Sequence, residues 1–147
     1  MEKHYERCLL SSFQFLFKFP EDPIRPAILY TIARSYEELK NYTLAQRYYN
    51  QLIKLEDENS VAYRAATRRN VYVDLLSGDY QSVFSKTAQK DDPYLLTFRG
   101  YAFMMKLNWA EARLTFMLAQ SNFGHPHYDE LIAPLFLTIE NVQNVRM

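Results

Sequence analysis

Along most of the chain, apolar residues recur at steps of three and four, which is the period of an α-helix with one buried face. Leu29, Ile32, Ala33, Tyr36 and Leu39 form one such stripe, and Ala45, Tyr48, Tyr49, Leu52, Ile53 and Leu55 form the next. Leu96, Gly100, Phe103 and Leu107 repeat the spacing, followed by Ala112, Phe116 and Ala119. The pattern predicts seven helices near residues 2–19, 24–39, 42–56, 60–76, 80–89, 93–106 and 109–121. An eighth, near 127–143, carries Leu131, Ile132, Leu135, Phe136, Ile139 and Val142 on one face, and Pro134 should kink or restart it.

The polar punctuation agrees with these limits. Asp92-Pro93 reads as an N-cap followed by proline at the first helical position. Asn59-Ser60 and Asn108 are further caps, and Glu111 stands three after Asn108, as in a capping box. Ser77-Gly78-Asp79 ends one helix and starts another, and Pro20-Glu21-Asp22-Pro23 separates the first helix from the second. Only 3 Gly in 147 residues argue against a turn-dense all-β fold, and the helical periods make the expected fold class all-α.

Three turns share one pattern: Asn41-Tyr42…Ala45…Tyr49, Asp79-Tyr80…Val83…Thr87 and Asn108-Trp109…Ala112…Phe116. Tyr42 and Trp109 lie 67 positions apart, close to two periods of ~34 residues. The middle turn is off-centre, which predicts a longer first helix and a shorter second helix in that repeat. Residues Ala27–Asn59 and Pro93–Ser121 thereby resemble tetratricopeptide repeats, with Ala33, Ala45 and Gly100 at the small positions and aromatics filling between helices. Residues 60–92 match more loosely, with Val83 and Thr87 where a small residue and an aromatic are expected.

The resemblance implies a right-handed α-solenoid of about three degenerate helix pairs. These would be a single domain, residues 1–147, with repeats about 24–59, 60–92 and 93–121, an extra N-terminal helix at 2–19 and a C-terminal capping helix about 127–143. It also implies that the first helix of each pair lines a concave groove. The groove positions would be Tyr30, Arg34 and Glu37 in the first repeat, Arg64, Arg68 and Tyr72 in the second, and Tyr94, Tyr101, Met104 and Met105 in the third. Tyr and Arg supply binding hot spots and Met an adaptable surface. The simpler reading is that some of these tyrosines pack on neighbouring helices and that Arg64, Arg68 and Arg69 form a solvated face. Arg34 and Tyr30 stand where the family's carboxylate clamp needs Asn and Lys, so that activity is not expected. Phe19-Pro20-Glu21-Asp22-Pro23 between an aromatic helix and a repeat is similar to envelope proteins related to the lipoprotein subunit of the outer-membrane β-barrel assembly machine. The Ala112…Leu118-Ala119-Gln120 helix with one further helix is similar to translocator chaperones of type III secretion.

Composition narrows the function. Lys+Arg and Asp+Glu are both 17, so the formal net charge is zero, without the basic excess of a nucleic-acid binder or a charge-driven membrane protein. Aromatics reach 16%, with 12 Tyr and 10 Phe, and Phe13, Phe15, Phe17 and Phe19 exceed what one buried stripe accommodates. Either the chain self-associates through this helix or it is a piece of a longer array. Cys8 stands alone, so no internal disulfide forms, and its helical setting suits a small buried residue. No apolar run reaches membrane-spanning length. As written, the chain carries no export signal, and reads as cytoplasmic; a chain trimmed of its leader would be periplasmic and read the same.

No catalytic set assembles. Glu37-Glu38 are helix neighbours pointing apart, Asp91-Asp92 reads as capping, and no glycine-rich phosphate loop exists. His4 and Cys8 share a helix face without a third partner. His125 and His127, with Asp129, are the one dense set of metal ligands, against the plainer reading of a loop before the last helix. The expectation is a non-enzymatic protein-protein interaction module without cofactor, binding a peptide or helical segment of another protein. The alternatives are a structural or self-associating piece of a larger envelope or secretion assembly and, more remotely, a metal-binding protein.

Overall fold

A computed structural model describes residues 2–123 and Ile139. Seven α-helices are present among them: α1 (Glu2–Lys18), α2 (Arg25–Glu38), α3 (Tyr42–Leu55), α4 (Val61–Leu76), α5 (Tyr80–Thr87), α6 (Pro93–Met105) and α7 (Trp109–Phe123). The all-α expectation holds, and each boundary lies within two residues of its sequence limit. The expected inequality in the middle is also present, since α4 has 16 residues and α5 only 8. The expected final helix near 127–143 lies outside the described residues apart from Ile139.

Local chemistry sets these limits. Asn41, Asp79 and Asn108 each accept a backbone N–H three residues on, from Leu44, Ser82 and Glu111, meeting one of the unpaired donors at a helix start. The residue before each cap has positive φ: Lys40 at 61°, Gly78 at 78° and Leu107 at 62°. The cap's own N–H then reaches back to the carbonyl five residues earlier, Tyr36, Asp74 and Phe103, each at 2.9 Å. Each turn is a Schellman ending fused to an N-cap. This fusion means that Glu111 completes no capping box, because the Asn108 N–H is already taken by the Phe103 carbonyl. Asp92 caps α6 as expected, accepting from Tyr94 at 2.9 Å and Leu95 at 3.2 Å with Pro93 next in line.

The chain divides into two compact units, Met1–Val73 and Asp74–Met147. In the first, α2 and α3 pack together around Leu29, Ala33, Ala45, Tyr49 and Leu52, joined by Ala66 and Val73 of α4. Burying these side chains is the main force holding the unit together. α1 packs on α2 through its inward face, where Leu9 and Ser12 are buried. Phe13 of α1 meets Tyr48 edge-on at 5.8 Å and Tyr36 at 6.4 Å, and Tyr36 stacks on Tyr48 at 5.8 Å.

The second unit centres on α6 and α7, with Leu96, Ala112, Phe116, Ala119 and Ile139 in its core. Gly100 lets the Phe116 ring lie against the α6 backbone; a Cβ there would collide with Phe116 Cε1. Val83 and Thr87 take the buried places that Ala45 and Tyr49 hold in the first unit. Arg99 completes the α5–α6 contact. Its guanidinium donates to the Phe84 carbonyl and the Thr87 hydroxyl, and lies over the rings of Phe84 and Phe103 at 5.5 and 5.3 Å.

Candidate functional site

Of the residues expected to line a groove, Tyr30, Arg34, Glu37, Arg64, Arg68 and Tyr72 belong to the first unit, and Tyr94, Tyr101, Met104 and Met105 to the second. Within the first unit, Glu37 is no lining residue: it is 5% exposed and acts as a buried hub. Its carboxylate accepts the Tyr49 hydroxyl of α3 at 2.9 Å and the Arg34 guanidinium of its own helix at 2.5 Å. It also accepts Arg69 of α4 in a two-pronged pair, Arg69 Nε to Oε1 at 3.1 Å and Arg69 Nη2 to Oε2. One carboxylate thus ties three helices, with the lone pairs satisfied that a buried charge requires.

The electrostatics follow from this arrangement. Burial first, then the charge of Glu37 and the hydrogen bond to it, hold the Tyr49 phenol well above its ordinary titration range. Burial alone would weaken the charged form of Arg69, but its hydrogen bonds to Glu37 and the carboxylate charge outweigh that and raise its pKa. The Arg69 guanidinium also lies over the Tyr72 ring at 4.7 Å. Arg69 therefore belongs to the hub and not to a solvated face. No local pattern marks it, since it stands 32 residues from its partner.

Tyr30 is half-buried, with its ring edge against Tyr49 at 5.9 Å. It borders an open apolar groove of about 700 Å³ lined by Pro23, Ile24, Pro26, Ala27, Tyr30 and Thr31 on one side and Val61, Ala62 and Ala65 on the other. The groove runs between the first turns of α2 and α4. Ile24 is 50% exposed and Val61 is 74% exposed at its walls. Arg64, exposed, follows Val61 by three on α4, and Arg68 is half-buried one turn further. Small residues keep the floor low, and Pro26 at the start of α2 leaves no N–H to satisfy there. The sequence carries a trace of the groove: Ile24 and Val61 are apolar residues at helix starts that belong to no buried stripe.

In the second unit, Met104 packs on the core while Met105 is 60% exposed. Tyr94 meets Phe123 at 5.2 Å and Tyr101 meets Phe116 at 5.7 Å, both edge-on. These four side chains do not share a described pocket. α7 turns Leu114, Met117 and Leu118 outward, each more than half exposed.

His125, His127 and Asp129 lie outside the described residues. Among the described residues no group of three or more His, Cys, Asp or Glu is placed to hold a metal ion. No described helix is long and apolar enough to cross a membrane. Cys8 is a half-buried free thiol.

No protein-family model, no curated protein and no solved structure matches this chain.

Proposed function

We propose that this protein is a non-enzymatic binding module of the tetratricopeptide-repeat type, and that it takes an apolar segment of another protein in the groove between the starts of α2 and α4. The observation that carries this reading is the groove itself: it is apolar and open. The Glu37 carboxylate ties α2 to α4 further along both helices, so the two helices that border the groove are joined without a ligand. A preformed, rigid site loses less freedom on binding than a mobile one. Tyr30 offers an aromatic wall with a hydroxyl, and Arg64 a cation close by, the side-chain types that most often dominate binding. On the repeat reading both would stand on first helices of pairs, and that reading extends to a solenoid in an envelope or secretion assembly.

Selection from a displayed random-peptide library tests this. Enriched peptides should bind the whole chain and lose at least about tenfold in affinity to Val61→Asp, which puts a charge into the apolar wall. Leu114→Asp, on the outer face of α7, should bind them as the parent does. Failure to enrich any peptide, or equal loss in both variants, contradicts the groove.

A further inference from the structure

The groove between α2 and α4 has a charge bias as well as an apolar lining. From Val61 to Val73, α4 carries Arg64, Arg68 and Arg69 and no acid. Arg69 is committed to Glu37, and Arg34 of α2 is committed to Glu37 and Glu38. Arg64 differs from these. It is exposed, and it stands one turn after Val61 and next to Ala65, both of which line the groove. Among the described residues no carboxylate pairs with it. The first turns of α2 and α4 border the groove and neither contains an acid, so the backbone dipoles at these helix starts add to the positive sign. The acids that precede them, Glu21, Asp22, Asp57 and Glu58, stand in the loops ahead of both helices. Asp22 and Asp57 serve those loops, accepting the N–H of Ile24 at 2.9 Å and of Asn59 at 2.8 Å. Arg64 lies a turn inside them, level with the apolar walls.

We infer that the groove selects an acidic partner: a short apolar segment of another protein with an Asp or Glu side chain that meets the Arg64 guanidinium. The inference rests on the groove as the binding site and adds the sign of its ligand. Apolar side chains of the segment fill the space between Ile24, Ala27, Val61 and Ala65, where the walls are uncharged. The carboxylate beside them takes Arg64, whose planar fork of N–H donors matches two carboxylate oxygens at once. The bound segment excludes water around this pair, so the attraction is screened less than at an open surface. A Lys or Arg at the same place in the segment meets a like charge, and a neutral residue gains nothing from it.

Displayed peptide libraries test this when they share random apolar positions and differ at a single fixed position, set to Glu, Gln or Lys. Against the whole chain, the best Glu peptides should bind about fivefold tighter than the best Gln peptides, with the Lys peptides weakest. A selected Glu peptide should lose about fivefold in affinity to Arg64→Gln and about tenfold to Arg64→Glu. Changing its Glu to Lys should recover binding to the Arg64→Glu variant, which isolates the pair. Both variants should keep the helical content of the parent, since the side chain is exposed. Raising salt from about 50 to about 500 mM should weaken the Glu peptide and leave the Gln peptide unchanged. Equal affinity across the libraries, or a peptide lost to Val61→Asp but indifferent to Arg64→Glu, overturns the acidic preference and leaves the groove standing. Acidic peptides lost to Arg64→Glu but indifferent to Val61→Asp overturn the groove itself, and the absence of any binder overturns both.

Discussion

Glu37 shows how much a single side chain can decide. It brings a negative charge to three helices, and removing it strands the Arg69 guanidinium against Tyr49 and Tyr72. Glu37→Ala should cost about 3 kcal/mol in urea unfolding, because breaking a buried pair leaves the other charge uncompensated. Tyr49 adds a pH signature. Its folded pKa is raised, so its contribution is complete below the ordinary phenol value of 10.0 and is lost as pH climbs toward the folded value. Stability should therefore fall above about pH 10. Tyr49→Phe should cost about 1 kcal/mol at neutral pH through the lost hydrogen bond and make that alkaline fall shallower. The Tyr48 phenol, also raised by burial and by Tyr36, leaves a remnant. At Gly100, alanine would gain up to about 1 kcal/mol of helix propensity. Its Cβ would meet three atoms of Phe116 within 2.8 Å, and that ring is fully buried and cannot yield. Gly100→Ala should thus lower stability by about 1–3 kcal/mol in chemical denaturation, the range of an overpacked core.

Helices were the most legible level in this sequence, because their limits are written locally. Each cap lies next to the helix it starts, and each stripe repeats within one segment, so Ser60, Asp79, Asp92 and Asn108 could be read without knowing the fold. The shortness of α5 was legible from the spacing of the same turns. The Glu37–Arg69 pair was not, since nothing near either residue signals a partner 32 positions away. Glu37 has the look of an exposed helix residue, beside Glu38 and one turn from Arg34, until α4 closes over it. The turns also carry a local cost that the caps conceal. Leu107 is a branched residue at φ 62° with 59% of its surface exposed, where glycine sits at the equivalent Gly78. Leu107→Gly should raise the stability of the second unit by about 0.5–1 kcal/mol in thermal or urea unfolding, since only glycine enters this region without strain.

For the whole molecule, sequence and structure divide the work differently. Two separate hydrophobic centres, one around Tyr49 and one around Phe116, follow from the apolar stripes of residues 29–55 and 96–119. The groove between α2 and α4 does not, because its walls are built from residues that miss the buried stripe, and a stripe is what periodicity detects. Four of the expected lining residues lie in the second unit, where Met104 serves the core and Tyr94 and Tyr101 rest on other rings. In the first unit Tyr30 borders the groove, Glu37 is buried against Tyr49 and Arg69 instead, and Ile24 and Val61 supply the exposed apolar walls. The most direct test is an amide chemical-shift map of the labelled protein titrated with a selected peptide. Shifts confined to residues 23–31 and 61–65 are expected. Shifts centred on α7, or none at saturating peptide, would contradict a groove between α2 and α4.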